Sequence, residues 1–166
     1  MRTLEIVRVE YGHPDAMRLI DEVQAEYVIR YGGPDETPLD RLMFAPPAGS
    51  FFVGYLADGE SSVAVATGAW RRSGVSAFGT TETAEIKRMY VSPRAQRAGH
   101  ARRMLAHLEA SARAAGFEAM ILETGDKQPE AIRLYTSAGY EPVPAFGFYR
   151  DSPINRCFGR LLAQEG

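Results

Sequence analysis

Cysteine is nearly missing from this chain of 166 residues: Cys157 stands alone, so no internal disulfide can form and the sequence suits a reducing compartment. Lysine is almost as scarce, with two against 17 arginines, a skew that codon composition explains without invoking function. Basic charge is not in excess, since the formal net charge is −2, which argues against general nucleic-acid binding. No apolar run approaches the ~20 residues of a membrane span. The first residues alternate charged and apolar side chains without a signal-like apolar core, so the expectation is a cytoplasmic protein. His13, His100, His107 and Cys157 have no metal-ligand spacing, and no metal is expected. No repeat and no low-complexity segment is present.

The hydrophobic content of 45% and charged content of 24% are ordinary for a globular chain, and the length fits a single domain over residues 1–166. Alternation predicts a first strand over 4–9, and Met17, Leu19, Ile20, Val23, Tyr27 and Val28 follow at helical spacing. A long irregular connection runs from Gly32 to Gly49, a length that in a compact domain often marks function. Residues 51–56 and 63–70 read as a hairpin turning at Asp58-Gly59. A strand over 83–91 precedes a helix that Gly116 stops, then an apolar strand over 117–122. Pro129 is placed in the first turn of a further helix that Gly139 ends, and strand character returns around Phe148 and over 156–162. This order gives an α/β fold with a mixed sheet.

In the strand over 83–91, strict alternation puts Glu85, Lys87, Met89 and Val91 on one face and Ile86, Arg88 and Tyr90 on the other. Neither face is cleanly apolar. The apolar register slips between Ile86 and Met89, as a β-bulge would make it do.

The most informative stretch is Gln96-Arg97-Ala98-Gly99-His100-Ala101, between that strand and the next helix. A small-residue turn opening a helix aims unpaired backbone N–H groups at one point, at the positive end of the helix dipole, and so can hold a phosphate. Gly99 and Ala101 let a diphosphate approach the backbone, while Arg94, Arg97, Arg102 and Arg103 add positive charge. Following Val91-Ser92-Pro93, this turn resembles the acyl-CoA-binding motif of the GNAT superfamily of N-acetyltransferases. Leu122-Glu123-Thr124-Gly125, Gln128 to Tyr135, and Ala138-Gly139-Tyr140 resemble a second block of the same superfamily. Arg30 to Asp35, Phe44 to Gly49, Phe146 to Tyr149 and Cys157-Phe158 resemble one bacterial branch of it, so the likeness covers nearly the whole chain. The chain departs from the pattern in having one glycine in the turn, Arg97 where glycine is frequent, and Pro129 near a frequent asparagine.

The resemblance implies a GNAT fold: a mostly antiparallel central sheet flanked by helices, with a splayed central strand pair. It implies acetyl-CoA as cosubstrate, its pantetheine arm lying in the gap like an added strand. The residues that would hold it are Met89, Tyr90, Val91, Gln96, Arg97, Ala98, Gly99, His100, Ala101 and Arg102. The expected activity is acetyl transfer to a primary amine of a small molecule or peptide by direct attack in a ternary complex. The alternatives are a non-catalytic acyl-CoA-binding module and a protein or N-terminal acetyltransferase.

Such a reaction needs a neutral amine, a fixed donor for the developing oxyanion and a proton for the departing thiolate. Glu85 is the candidate base, directly or through water, unless it serves as an ion-pair partner of Lys87 or Arg88. Tyr135 matches the family's tyrosine near the cofactor sulfur and is the candidate acid, with core packing as its bland reading. A backbone N–H of Met89 or a neighbour is the candidate oxyanion donor. His100 reads more simply as a surface histidine of the helix, and Cys157 as a small buried apolar residue. Candidate acceptor residues are Tyr27, Arg30, Trp70, Arg71 and Tyr149, with Tyr31, Phe44 and Phe146 as further lining. Arg30 or Arg71 could pair with an acceptor carboxylate or could be structural. No nucleic-acid or membrane partner is expected, and a homodimer is compatible with the sequence.

Overall fold

The computed structural model describes residues 3–162. Strands β1 (Glu5–Val9), β2 (Gly49–Asp58), β3 (Ser61–Arg72), β4 (Thr83–Val91), β5 (Ala119–Gly125), β6 (Glu141–Pro142) and β7 (Asn155–Leu161) form one sheet in the order β1-β2-β3-β4-β5-β7-β6. Every neighbouring pair is antiparallel except β4 and β5. Helix α1 (Pro14–Tyr31) covers one face, and helices α2 (His100–Ala114) and α3 (Pro129–Ser137) cover the other. This is the mostly antiparallel, helix-flanked α/β sheet that the sequence resemblance implied. No helix among the described residues is long and apolar enough to cross a membrane.

Side-chain alternation sorts the core into these two layers. Phe51 and Val53 of β2 and Ala69 of β3 meet Leu19, Ile20 and Val23 of α1. Phe52, Val65, Trp70 and Ile86 turn the opposite way, onto Met104, Leu105, Leu108 and Ala112 of α2. The helix boundaries follow local chemistry. His13 caps α1 by accepting from the Asp15 amide at 3.1 Å, and Pro14 and Pro129 occupy first-turn positions where the missing N–H costs nothing.

The expected bulge is present. Ala69 pairs with Lys87 and Thr67 with Tyr90, so Arg88 and Met89 together face Gly68. Arg88 takes a left-handed φ of 53°, and the Thr67 hydroxyl fixes it by donating to the Arg88 carbonyl at 2.7 Å. The parallel pairing of β4 with β5 is limited to Thr83–Ala119, Ala84–Met120 and Glu85–Ile121. Beyond Glu85 the two strands separate, which is the splay the resemblance implied.

Two expectations change. Phe148 is not in a strand; it lies in a turn where Gly147 has φ 86° and the amides of Arg150 and Ser152 bond back to Gly147 and Tyr149. On its outer side β7 pairs only with the short β6, because Pro144, Gly147 and Pro153 interrupt any longer strand between them. The connection over 32–48 also contains a 3-10 turn at Arg41–Phe44, capped by Asp40, that carries buried Phe44 into the α1 layer.

Leu108 is fully buried where α2 packs on β3. Leu108→Ala is expected to cost about 3 kcal/mol, or roughly 10 °C in Tm by thermal unfolding.

Candidate active site

Where β4 and β5 part, a cavity of about 460 Å³ opens. Its walls are Ile86–Met89 of β4, Leu122–Gly125 of β5, Ala131 and Tyr135 of α3, and Tyr27 and Tyr31 of α1. Loop residues 32–37, Tyr149 and Asn155 complete it. From Ile86 onward the β4 edge facing β5 has no strand partner among the described residues, so an extended chain can bond there as a strand would.

Beyond the carboxyl end of β4, the turn before α2 forms an anion site. Arg97 and Gly99 both adopt left-handed backbone, at φ 66° and 81°, and Gly99 is the N-cap of α2 with no side-chain cap. The amides of Arg97, Ala98 and Gly99 meet no backbone acceptor among the described residues, and first-turn amides of a helix have none by construction. Gln96 fastens the turn to the strand end by donating to the Val91 carbonyl at 2.9 Å, and Arg102 donates to Ser137 of α3 at 2.7 Å. An elongated ligand carrying a diphosphate fits this combination of a basic, donor-rich turn and an unpaired strand edge. His100 departs from expectation. It is 4% exposed and bonded through Nδ1 to Arg103 at 3.0 Å, so it braces the turn from inside.

On the α1 side of the sheet, charged groups form a row that is buried except at its Arg71 end. Arg71 bonds Glu85 Oε1 at 2.8 Å, Lys87 Nζ lies 3.1 Å from Glu85 Oε2, and the same Nζ lies 3.7 Å from Glu123 Oε1. Burial pushes the Glu123 carboxyl up; Lys87 opposes this, while Glu85 and Asp35 add to it. Across the cavity, Asp35 accepts from the Thr37 hydroxyl at 2.6 Å, the Thr37 amide at 2.9 Å and the Tyr149 hydroxyl at 3.0 Å. Arg88 lies 3.6 Å from its other oxygen. Burial alone would raise Asp35, but these bonds and Arg88 hold it below the usual carboxylate range. Burial pushes Tyr27 up to about 12, and Tyr135 well above the ordinary phenol value, so both stay protonated at neutral pH.

Of the acceptor candidates, the structure brings Tyr27 and Tyr149 together at the cavity, with Tyr31 beside them. Three others go elsewhere. Arg30 is held by Glu26 at 2.9 Å, Glu130 at 2.7 Å and the Lys127 carbonyl at 2.9 Å. Trp70 lies in the α2 core, its indole N–H donating to Ser111 at 2.9 Å and its ring against Phe117. Arg71 is bound to Glu85. Phe44 and Phe146 pack in the core.

Glu85 itself is 1% exposed, clamped between Arg71 and Lys87, and absent from the cavity wall. Tyr135 and Met89 line the cavity; Tyr90 turns into the α1 core and Val91 into the α2 core, and neither is part of its wall. Cys157 is buried, with burial pushing its thiol up, as expected for a packing residue. Sequence reasoning missed Asp35, Lys87, Arg88 and Glu123 as cavity residues. Glu123 carried one legible signal, a carboxylate ending an apolar strand run.

Residues 18–140 match the model of the Acetyltransferase (GNAT) family. A segment of 71 residues is 42% identical to an IAA acetyltransferase of Azospirillum brasilense, covering 43% of this chain and 46% of that protein. The match therefore spans under half of that relative. Among solved structures, a Klebsiella pneumoniae protein assigned as an acyl-CoA N-acyltransferase superposes with a TM-score of 0.74 at 26% identity, over 98% of this chain and 99% of the other. The N-acetylglutamate synthase of Neisseria gonorrhoeae, solved with coenzyme A and N-acetyl-glutamate, shares the fold at a TM-score of 0.66 and 19% identity, over 99% of this chain and 36% of that one.

Because the Asp35 carboxyl is lowered, its contribution to stability is present above the unfolded value of ~3.9 and fades as pH falls through the folded value. Asp35→Asn is expected to unfold at lower denaturant than the parent at pH 7. The gap should close below roughly pH 4, as read from paired urea curves.

Proposed function

This chain belongs to the GNAT acetyltransferase family, and on that premise we propose that it moves an acetyl group from acetyl-CoA to a primary amine of a small molecule or peptide. The observation that carries this reading is the gap between β4 and β5, continuous in the fold with the donor-rich turn before α2. Acetyl-CoA supplies the acetyl group as an activated thioester. The turn from Gln96 to Arg102 receives its diphosphate, and the free edge of β4 at Met89, Tyr90 and Val91 receives the pantetheine arm.

In this reading both substrates occupy the cavity together and the amine attacks directly. A backbone N–H at the bulge, Met89's or a neighbour's, donates to the carbonyl oxygen as charge develops on it. Tyr135 gives its phenolic proton to the sulfur as the C–S bond breaks. Burial keeps the phenol protonated at neutral pH, so the donor is already in place when charge develops on the sulfur. Tyr27, Tyr31 and Tyr149 offer the acceptor an aromatic wall, with Asp35 behind Tyr149.

Calorimetry with acetyl-CoA, followed by thiol release against a panel of amino acids, polyamines, aminoglycosides and short peptides, tests the reading. Binding with amine-dependent release is the expected outcome. Binding without release from any amine would favour a non-catalytic acyl-CoA module, and absence of binding would remove the proposal. Tyr135→Phe is expected to lower kcat by about 10²-fold while acetyl-CoA affinity stays at the parent value. An undiminished kcat would leave Tyr135 a packing residue only.

A further inference from the structure

We propose that Glu123 is the general base of this site and that Glu85 acts one step removed, as a positioning residue through Lys87. This rests on the acetyl-transfer reading above. Glu85 and Glu123 are the two carboxylates in contact with Lys87, but they differ in what else surrounds them. Glu85 has a guanidinium on one oxygen and an ammonium on the other, and it does not reach the cavity wall. Both of its oxygens are taken up by cations, and neither is presented to a substrate in the cavity.

Glu123 forms part of the wall, with its side chain 8% exposed. Its contacts are weaker: Lys87 at 3.7 Å and the Asn155 amide at 3.4 Å. Gly147, at φ 86°, closes over it. A Cβ there would sit 2.8 Å from Glu123 Oε2, and the left-handed backbone favours glycine, so the turn packs directly against this carboxylate. The groups facing Glu123 are Lys87 and Glu85 from β4, Asn155 and the Cys157 thiol from β7, and Asp35 from the loop after α1. Burial, opposed by Lys87 and Asn155 and reinforced by Glu85 and Asp35, holds its affinity for a proton above that of a free glutamate.

In the step, the acceptor nitrogen bonds to the acetyl carbon while an N–H proton passes to the Glu123 carboxylate, directly or through one water. The C–S bond breaks and the sulfur takes the Tyr135 proton. Glu123 is left protonated and Tyr135 ionised, and solvent exchange restores both. Lys87 sets the poise: the more firmly Glu85 holds it, the less it stabilises the ionised form of Glu123.

The first test needs no acceptor. Carbon-13 carboxyl NMR titration of the free chain, with Glu123 assigned by Glu123→Gln, should show a midpoint above the ordinary glutamate range. Glu85→Gln should move that midpoint down, since it removes a negative neighbour and releases Lys87 toward Glu123. Lys87→Met should move it up. Opposite shifts are not produced by general loosening of the fold, and an unchanged midpoint in both variants would overturn the positioning role. Glu123→Gln should keep the parent affinity for acetyl-CoA by calorimetry yet lose roughly 10²-fold or more in amine-dependent thiol release. Glu123→Asp, which keeps a carboxylate, should recover part of that loss, and equal loss in both variants at parent acetyl-CoA affinity would overturn the base role. Acetyl-CoA bound with undiminished release in Glu123→Gln would overturn the base alone, whereas a parent that binds no acetyl-CoA would overturn the acetyl-transfer reading beneath it.

Discussion

A single extra residue in β4 sets the shape of everything around the cavity. With Arg88 and Met89 both opposite Gly68, the strand bends after Glu85 and its ladder to β5 stops at three residue pairs. Opening a sheet at its centre leaves backbone groups without partners, which costs free energy wherever water cannot reach them. The gap persists because each strand is secured on its far side. β4 is laddered to β3, and β5 pairs with β7 along its whole length, from Ala119–Leu161 to Gly125–Asn155. The root of the gap is dense: Thr83, Ala84, Ala119, Met120 and Ile121 are all fully buried. The sheet is thus rigid where the strands meet and open where they part, a suitable mount for chemistry that needs fixed donors.

The charged row on the α1 face is the second constraint, and stability alone is a poor reason for it. Taking carboxylates and ammoniums out of water costs several kcal/mol per ion, and apolar replacements of similar volume often do as well. Here the row runs from a partly solvated guanidinium, Arg71 at 32% exposure, through Glu85 and Lys87 to Glu123 at the cavity wall. Such an arrangement fixes the proton affinity of its inner member by the positions of the others. Arg30 illustrates the contrast: its ion pair with Glu130 ties α1 to α3 near the surface, its pair with Glu26 stays within α1, and neither touches the cavity wall.

Much of this was legible locally. The broken alternation over Ile86 to Met89 located the bulge, and Gly99 at a helix start located the anion turn. Pro129 and Gly116 marked ends of helices. What local pattern could not supply was register between strands distant in sequence. Pairing Glu85 with Ile121 carries Lys87 toward Glu123 two positions on, and no feature within either strand announces that alignment. Trp70 and Arg71 show the same limit. Parity sends the indole to the α2 core and the guanidinium to Glu85, although both looked suited to an acceptor pocket. The aromatic run at Phe146–Tyr149 misled in another way, since β propensity there yields to the turn that Gly147 makes.

The same parity bears on how acid and base work together. Leu122 and Glu123 are adjacent in β5 and so project to opposite faces: Leu122 joins Tyr135 in the α2 layer, while Glu123 joins Lys87 on the α1 side. The proposed base and acid therefore approach the gap from its two sides, with the sheet between their environments. This separation lets each be tuned alone. Tyr135 is raised mainly by burial among apolar neighbours, whereas Glu123 answers to Lys87, Glu85 and Asp35 as well as to burial. Placed side by side, a buried phenol and a carboxylate would share one proton, and neither could be poised independently. On opposite sides of an opened sheet, one can stay protonated and the other ionised at the same pH, as a reaction that removes a proton at nitrogen and returns one at sulfur requires.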